Sequence, residues 1–188
     1  MPENEEIIKK LYQIWLHSKQ KITEFNIVFS DDKEIENLRE ENLPDFFDNL
    51  NELYWNYFFI TVAKLLDSHT QGRNTNLTIF TLPEILKKEK IEDWKKVQNQ
   101  AENLKVKHQD IIDHRRKNLA HFDFDHTIQK KKLSGSTHID EIDDFFNEML
   151  EIINTTRKKL SLEPYSGGFM VHGRFKGSRE LLRILKSQ

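Results

Sequence analysis

The chain is expected to be all-α: an antiparallel up-and-down helical bundle with long central helices and short accessory helices. Three observations point there. Apolar residues recur at i, i+3, i+4 and i+7 along long stretches. Only six glycines and four prolines punctuate 188 residues. No sustained apolar–polar alternation marks a half-buried strand, and short connections favour antiparallel neighbours.

Taken in order, Ile8, Leu11, Tyr12 and Trp15 set the spacing of a first helix over residues 4–22. The charged stretch 30–41 reads as a short helix or a turn. Asn42 and Pro44 open a long helix to about residue 67, with proline in the first turn, where its missing N–H costs no hydrogen bond. This helix carries Phe46, Phe47, Tyr54, Trp55, Tyr57, Phe58 and Phe59. Apolar groups on most of its circumference mark it as the central helix of the bundle. Residues 67–74 read as a loop, and Thr81-Leu82-Pro83-Glu84 as a capping box opening a short helix over 81–88.

A long helix is expected over 91–119. Residues 123–137 are polar and include Lys130-Lys131-Lys132 and Ser134-Gly135-Ser136, the composition of a mobile loop. Ile142, Phe146, Met149, Ile153 and Leu160 define the next helix, with Thr137 as its cap. Residues 161–188 form an irregular C-terminal extension, with a brief strand over 169–171 and a short helix over 178–186.

Length and composition narrow the function. A chain of 188 residues supports one domain with a real core, so residues 1–188 are read as a single helical domain. The absence of cysteine removes thiol nucleophiles, disulfide frameworks and Cys-type zinc sites, and suits a reducing compartment. A net charge of −2 excludes the global field of a strongly basic nucleic-acid binder but leaves room for local patches. The stretch 31–52 is acidic, whereas Arg174, Lys176, Arg179, Arg183 and Lys186 make the C-terminal segment basic. The acidic N-terminus lacks the apolar core of a signal peptide. The most apolar run, 50–66, is interrupted by Asn51, Glu52, Asn56 and Lys64, so it reads as a buried helix and not a membrane span. The expectation is a soluble, cytoplasmic protein without membrane association.

Chemistry concentrates in His114-Arg115-Arg116-Lys117-Asn118-Leu119-Ala120-His121-Phe122-Asp123. On a continuous helix advancing about 100° per residue, Trp94, Val97, Ala101, Leu104, Ile111, Ile112 and Leu119 form one apolar stripe. Arg115 falls near the middle of that stripe with His108 beside it, while Arg116 is displaced toward solvent. His114, Asn118 and His121 form an adjoining polar stripe. An arginine on an apolar stripe is costly unless it meets an anion or performs a task.

Three readings compete. Arg115 snorkels to solvent or pairs with an acid such as Asp67, and His121 caps the helix. Alternatively His121, Asp123, Asp125 and His126 hold a metal, although no standard ligand spacing matches. In the third reading His121 moves a proton while an arginine holds a phosphate, which is acid–base chemistry on RNA.

The stretch Arg115 to Asp123 resembles the arginine-x4–6-histidine signature of the HEPN superfamily. It is closest in pattern to the branch named for phage abortive-infection (Abi U-type) systems, whose motif reads Arg-Asn/Asp-Lys-x-Leu-Ala-His-x-Asp. Leu65-Leu66-Asp67, Asn76-Leu77-Thr78 and Glu180-Leu181-Leu182 extend the resemblance along the chain. The resemblance implies an all-α bundle, a homodimer whose two motifs face a shared cleft, and metal-independent endoribonuclease activity with no cofactor. It also implies a toxin or phage-defence role, with RNA or nucleotide as ligand and an antitoxin as partner.

Carried over by position, His121 is the catalytic histidine and Arg115 the motif arginine, with Arg116 taking that role in the shorter spacing. Arg116 stands where the pattern has a small Asn or Asp, and Asn118, on the face of His121, is a substitute for it. Lys117 joins the two arginines in binding substrate, and Asp67, Asp123 and His114 are supporting groups. The alternative is a catalytically silent HEPN-like dimer that binds nucleotides, RNA or a partner protein.

Overall fold

Apolar spacing along the first helix continues past residue 22: Ile8, Leu11, Trp15, Ile22, Phe25 and Val28 are all buried. In the computed structural model, which describes residues 2–116, 137–168 and 177–187, this helix, α1, spans Pro2–Val28. It is therefore longer than its first four apolar positions implied, because the i+3/i+4 recurrence carries on through Phe25. The acidic stretch that follows is a helix, α2 (Lys33–Asn42), capped by Asp32, whose side chain accepts from Glu34 N–H at 2.8 Å. Arg39 of α2 donates back to the carbonyls of Val28 and Ser30 at 2.5 and 3.4 Å. It thereby satisfies acceptors that the end of α1 leaves open and places a cation at the negative pole of that helix.

Helix α3 (Pro44–Leu65) carries proline in its first turn and buries Phe47, Phe58, Phe59, Val62, Ala63 and Leu65. This central helix is not buried on every side. Its opposite face exposes Phe46 at 48% and Leu53 at 65%.

The segment read as a loop contains a minimal antiparallel hairpin, β1 (Thr70–Gln71) and β2 (Asn74–Thr75), with Thr70 opposite Thr75. Gly72 opens its two-residue turn at φ +62°, a conformation that favours glycine. Helix α4 (Thr81–Lys88) begins at Thr81 rather than being capped by it. The Thr81 hydroxyl instead accepts from Thr78 N–H at 3.1 Å and donates to the Asn76 carbonyl at 3.3 Å, closing the preceding turn.

The long helix expected over 91–119 is broken. Helix α5 (Trp94–Lys107) ends at His108, and α6 (Gln109–His114) begins immediately after it. Helix α7 (Ile139–Lys159) has His138, not Thr137, at its N-cap, with no side-chain cap bond. It lies against α1, α4 and α5 and buries Ile142, Phe145, Phe146, Met149 and Ile153. Helix α8 (Gly177–Leu185) packs on α1 and α2 through Leu182. Among the described residues the architecture is thus all-α, with eight helices and one two-stranded hairpin. The strand expected over 169–171 and nearly all of the loop expected over 123–137 lie outside the described residues.

The core is strongly aromatic. Phe25 meets Trp55 and Phe58 edge-on at 5.6 and 6.1 Å between ring centroids, and Phe145 meets Phe146 edge-on at 5.1 Å. Each large apolar side chain buried there contributes roughly 1.5–3 kcal/mol of transfer free energy. Lys19 pairs with Asp143 and bonds Asn147 at 3.1 Å, tying α1 to α7.

The irregular segment after α7 is anchored as well. Arg157 is buried, donates to the Glu163 carbonyl at 2.6 Å and stacks on Tyr165 at 3.9 Å. Tyr165 in turn stacks on Tyr12 of α1 at 4.0 Å.

Candidate functional site

The first half of the motif sits where α6 passes into a π-helical turn at Arg115 and Arg116. Such turns are rare and frequently found at functional sites. Position along the chain is set upstream by His108. Its ring is 5% exposed and meets Phe145 of α7 edge-on at 5.3 Å. Burial is the main cause holding its pKa below the usual histidine value, with Lys107 adding to it; Glu148 and Asp144 act in the opposite direction. The buried ring, whose Nε2 has no hydrogen-bond partner among the described residues, marks the junction at which α5 stops and α6 starts afresh.

The break alters the wheel drawn on a continuous helix. Ile111 is buried and Ile112 half-buried, whereas Arg115 is half-buried and not enclosed by the core. His114 packs on Phe59 of α3, with ring centroids 4.4 Å apart and tilted by 48°. The polar stripe therefore begins against an aromatic ring of α3. Arg116 is exposed, as its displacement from the stripe implies, and lies 3.5 Å from Asp113. Asp113 also accepts from Gln109 at 3.2 Å. The Arg115 backbone N–H bonds the carbonyls of Ile111 and Ile112, but its guanidinium makes no hydrogen bond or ion pair with any described residue.

Asp67 is not the partner of Arg115. It is exposed at the end of α3, and its carboxylate accepts the N–H of Ser68 at 2.9 Å, closing a local turn. Lys117, Asn118, His121 and Asp123 lie outside the described residues, as do Asp125 and His126 of the metal reading. Among the described residues no group of three or more metal-capable side chains comes together. The basic C-terminal residues divide: Arg183 pairs with Glu180 at 2.6 Å and Lys186 with Glu34 at 2.8 Å, while Arg179 is exposed.

Three contributors escaped the sequence reading. They are Phe59 as the contact of His114, Asp113 as the partner of Arg116, and His108 as a helix break. Asp113 was detectable, since an acid three residues before an arginine on a helix shares its face. The other two depend on α3 and α7, which local spacing does not reveal.

A helical bundle carrying Arg115 and Arg116 ahead of a Leu-Ala-His sequence defines a HEPN-type domain. The family model of the AbiU2 HEPN domain matches residues 4–159, and the chain belongs to that family. The match ends with the last residue of α7, so α8 lies beyond it. Neither a curated protein nor a solved structure is matched by the chain.

Proposed function

We propose that the protein is a metal-independent endoribonuclease of the HEPN type, serving as a toxin or in phage defence in the cytoplasm. The observation that carries this reading is Arg115. It is half-buried at the head of the family motif, in a π-helical turn, and has no anionic partner among the described residues. A guanidinium placed this way suits bidentate contact with phosphate oxygens. Arg116 and Lys117 add charge for the RNA backbone, and the Asp113 contact at 3.5 Å makes Arg116 the less available of the two arginines.

In the proposed reaction the 2′-oxygen of the RNA attacks the adjacent phosphorus as its proton is removed. The bond from phosphorus to the 5′-oxygen breaks, and that oxygen takes up a proton. A 2′,3′-cyclic phosphate and a 5′-hydroxyl result. His121 serves one of the two proton transfers, since imidazole titrates near pH 6.5. A homodimer supplies a second His121 for the other. Asn118 orders the site in place of the small polar residue that Arg116 displaces. Asp123 and His114 act as supporting groups, His114 through its contact with Phe59. An antitoxin is the expected protein partner. Among the described residues no helix is long and apolar enough to cross a membrane.

The test is incubation of the protein with total RNA in chelator, beside His121→Ala and Arg115→Ala. Loss of cleavage in both variants, with the fold retained, supports the reading. Cleavage by the double variant at the wild-type rate overturns it. The presence of Arg116 in place of Asn or Asp favours one alternative, a silent HEPN-like dimer, which would bind RNA or nucleotide without forming products.

A further inference from the structure

We propose that the protein has a second, small-molecule site, between the start of α1, the β1–β2 hairpin and α4, that takes a nucleoside monophosphate. The cavity there has a volume of about 590 Å³, inside the range of ligand pockets. It is built from three kinds of surface, and each restricts the ligand.

The first is apolar. Ile7, Leu77 and Ile85 line the cavity, and Leu77 is 40% exposed, a large aliphatic side chain left open to water at a concave surface. It suits a flat apolar body.

The second is a set of hydrogen-bond acceptors. His69 places Nδ1 at 3.1 Å from both the Asn76 carbonyl and the Thr81 hydroxyl. A carbonyl only accepts, so Nδ1 carries a proton, and in that tautomer of the uncharged ring Nε2 is an acceptor. Asn76 commits its amide N–H to the Ser68 carbonyl at 3.1 Å, and Asn4 commits its own to Glu89 at 2.6 Å. The side-chain oxygens of both, like His69 Nε2, receive no donor among the described residues. A ligand rich in N–H and O–H groups meets that need.

The third surface is cationic. Lys87 lies 3.7 Å from Glu84, while Lys88 is exposed and makes no ion pair among the described residues. An exposed ammonium with no carboxylate within ion-pair distance among the described residues suits an anionic group such as phosphate. Donors, a flat body and one phosphate together describe a nucleoside monophosphate. None of these residues belongs to the 115–121 motif, so the inference does not rest on the ribonuclease reading.

The test is calorimetric titration of the full chain with AMP and UMP, with adenosine and ribose 5-phosphate as partial ligands. It is repeated in His121→Ala, so that failure of the RNA chemistry and failure of this site are read separately. At least one nucleotide is expected to bind with a dissociation constant of about 10–100 μM, unchanged in His121→Ala. Both partial ligands are expected to bind about tenfold more weakly or worse. Leu77→Trp, which fills the cavity from an exposed position, should weaken the nucleotide at least about tenfold. Lys88→Glu, on the rim, should weaken it about threefold or more and carries the test if Leu77→Trp fails to fold. The proposal is overturned if no nucleotide binds more tightly than about 1 mM, if a partial ligand binds as well as the nucleotide, or if the variant that folds binds normally.

Discussion

Arg116 reaches Asp113 across 3.5 Å at the protein surface, a contact worth at most about 1 kcal/mol because water and salt screen it. Arg115, one residue earlier, is half-buried, and its guanidinium has no partner among the described residues. If Arg115 holds the phosphate, Arg115→Ala should lower kcat/KM for RNA cleavage by about 10²–10³. Arg115→Lys should recover little of that, since a lysine cannot make the bidentate contact. Arg116→Ala should cost less than about tenfold. Steady-state kinetics on a defined RNA separate the three variants, and equal losses in Arg115→Ala and Arg116→Ala would refute the assignment.

His108 supplies a second residue-scale prediction. Burial keeps its folded-state pKa below the ordinary value, so below about pH 6.5 the unfolded chain binds a proton that the folded protein resists. Stability should therefore be present above that pH and decline as pH falls below it. In His108→Leu the decline should be shallower. Urea unfolding at several pH values measures both slopes.

At the scale of elements, the packing of α7 against α1 and α5 fixes where the motif begins. Phe145 joins the core to the helix break by meeting both Phe146 and His108. Phe145→Ala should cost about 3–5 kcal/mol, read as a lower midpoint in chemical denaturation, with His108 losing its packing partner. The helices themselves were largely legible in the sequence, because Ile8, Leu11 and Trp15 or Ile142, Phe146 and Met149 repeat with helical spacing. The α5–α6 break was not legible. Lys107-His108-Gln109 contains neither glycine nor proline, and the interruption follows from a ring buried against another helix. The hairpin at 70–75 was equally hidden, since two-residue strands are too short to show alternation. Its Gly72 was the visible sign. Of the candidate site, periodicity alone sets Arg116 in solvent and Arg115 at the border of the apolar and polar stripes, where it is half-buried.

For the whole molecule, the proposed reaction asks for two copies. Helix α3 turns Phe46 and Leu53 outward on the face away from the core, where apolar surface is available for self-association. Light scattering on the purified protein should give twice the chain mass of 22.6 kDa. Leu53→Asp should shift it toward monomer, with helical content unchanged and RNA cleavage reduced. A monomer that cleaves RNA at the full rate would contradict the two-copy requirement.

The most direct test of the ribonuclease proposal is the rate of RNA cleavage in excess chelator, wild type beside His121→Ala. The proposal predicts cyclic-phosphate products from the wild type and a fall of about 10²–10⁴ in rate for the variant. Wild-type cleavage that vanishes with chelator, or a variant as fast as the parent, would contradict it.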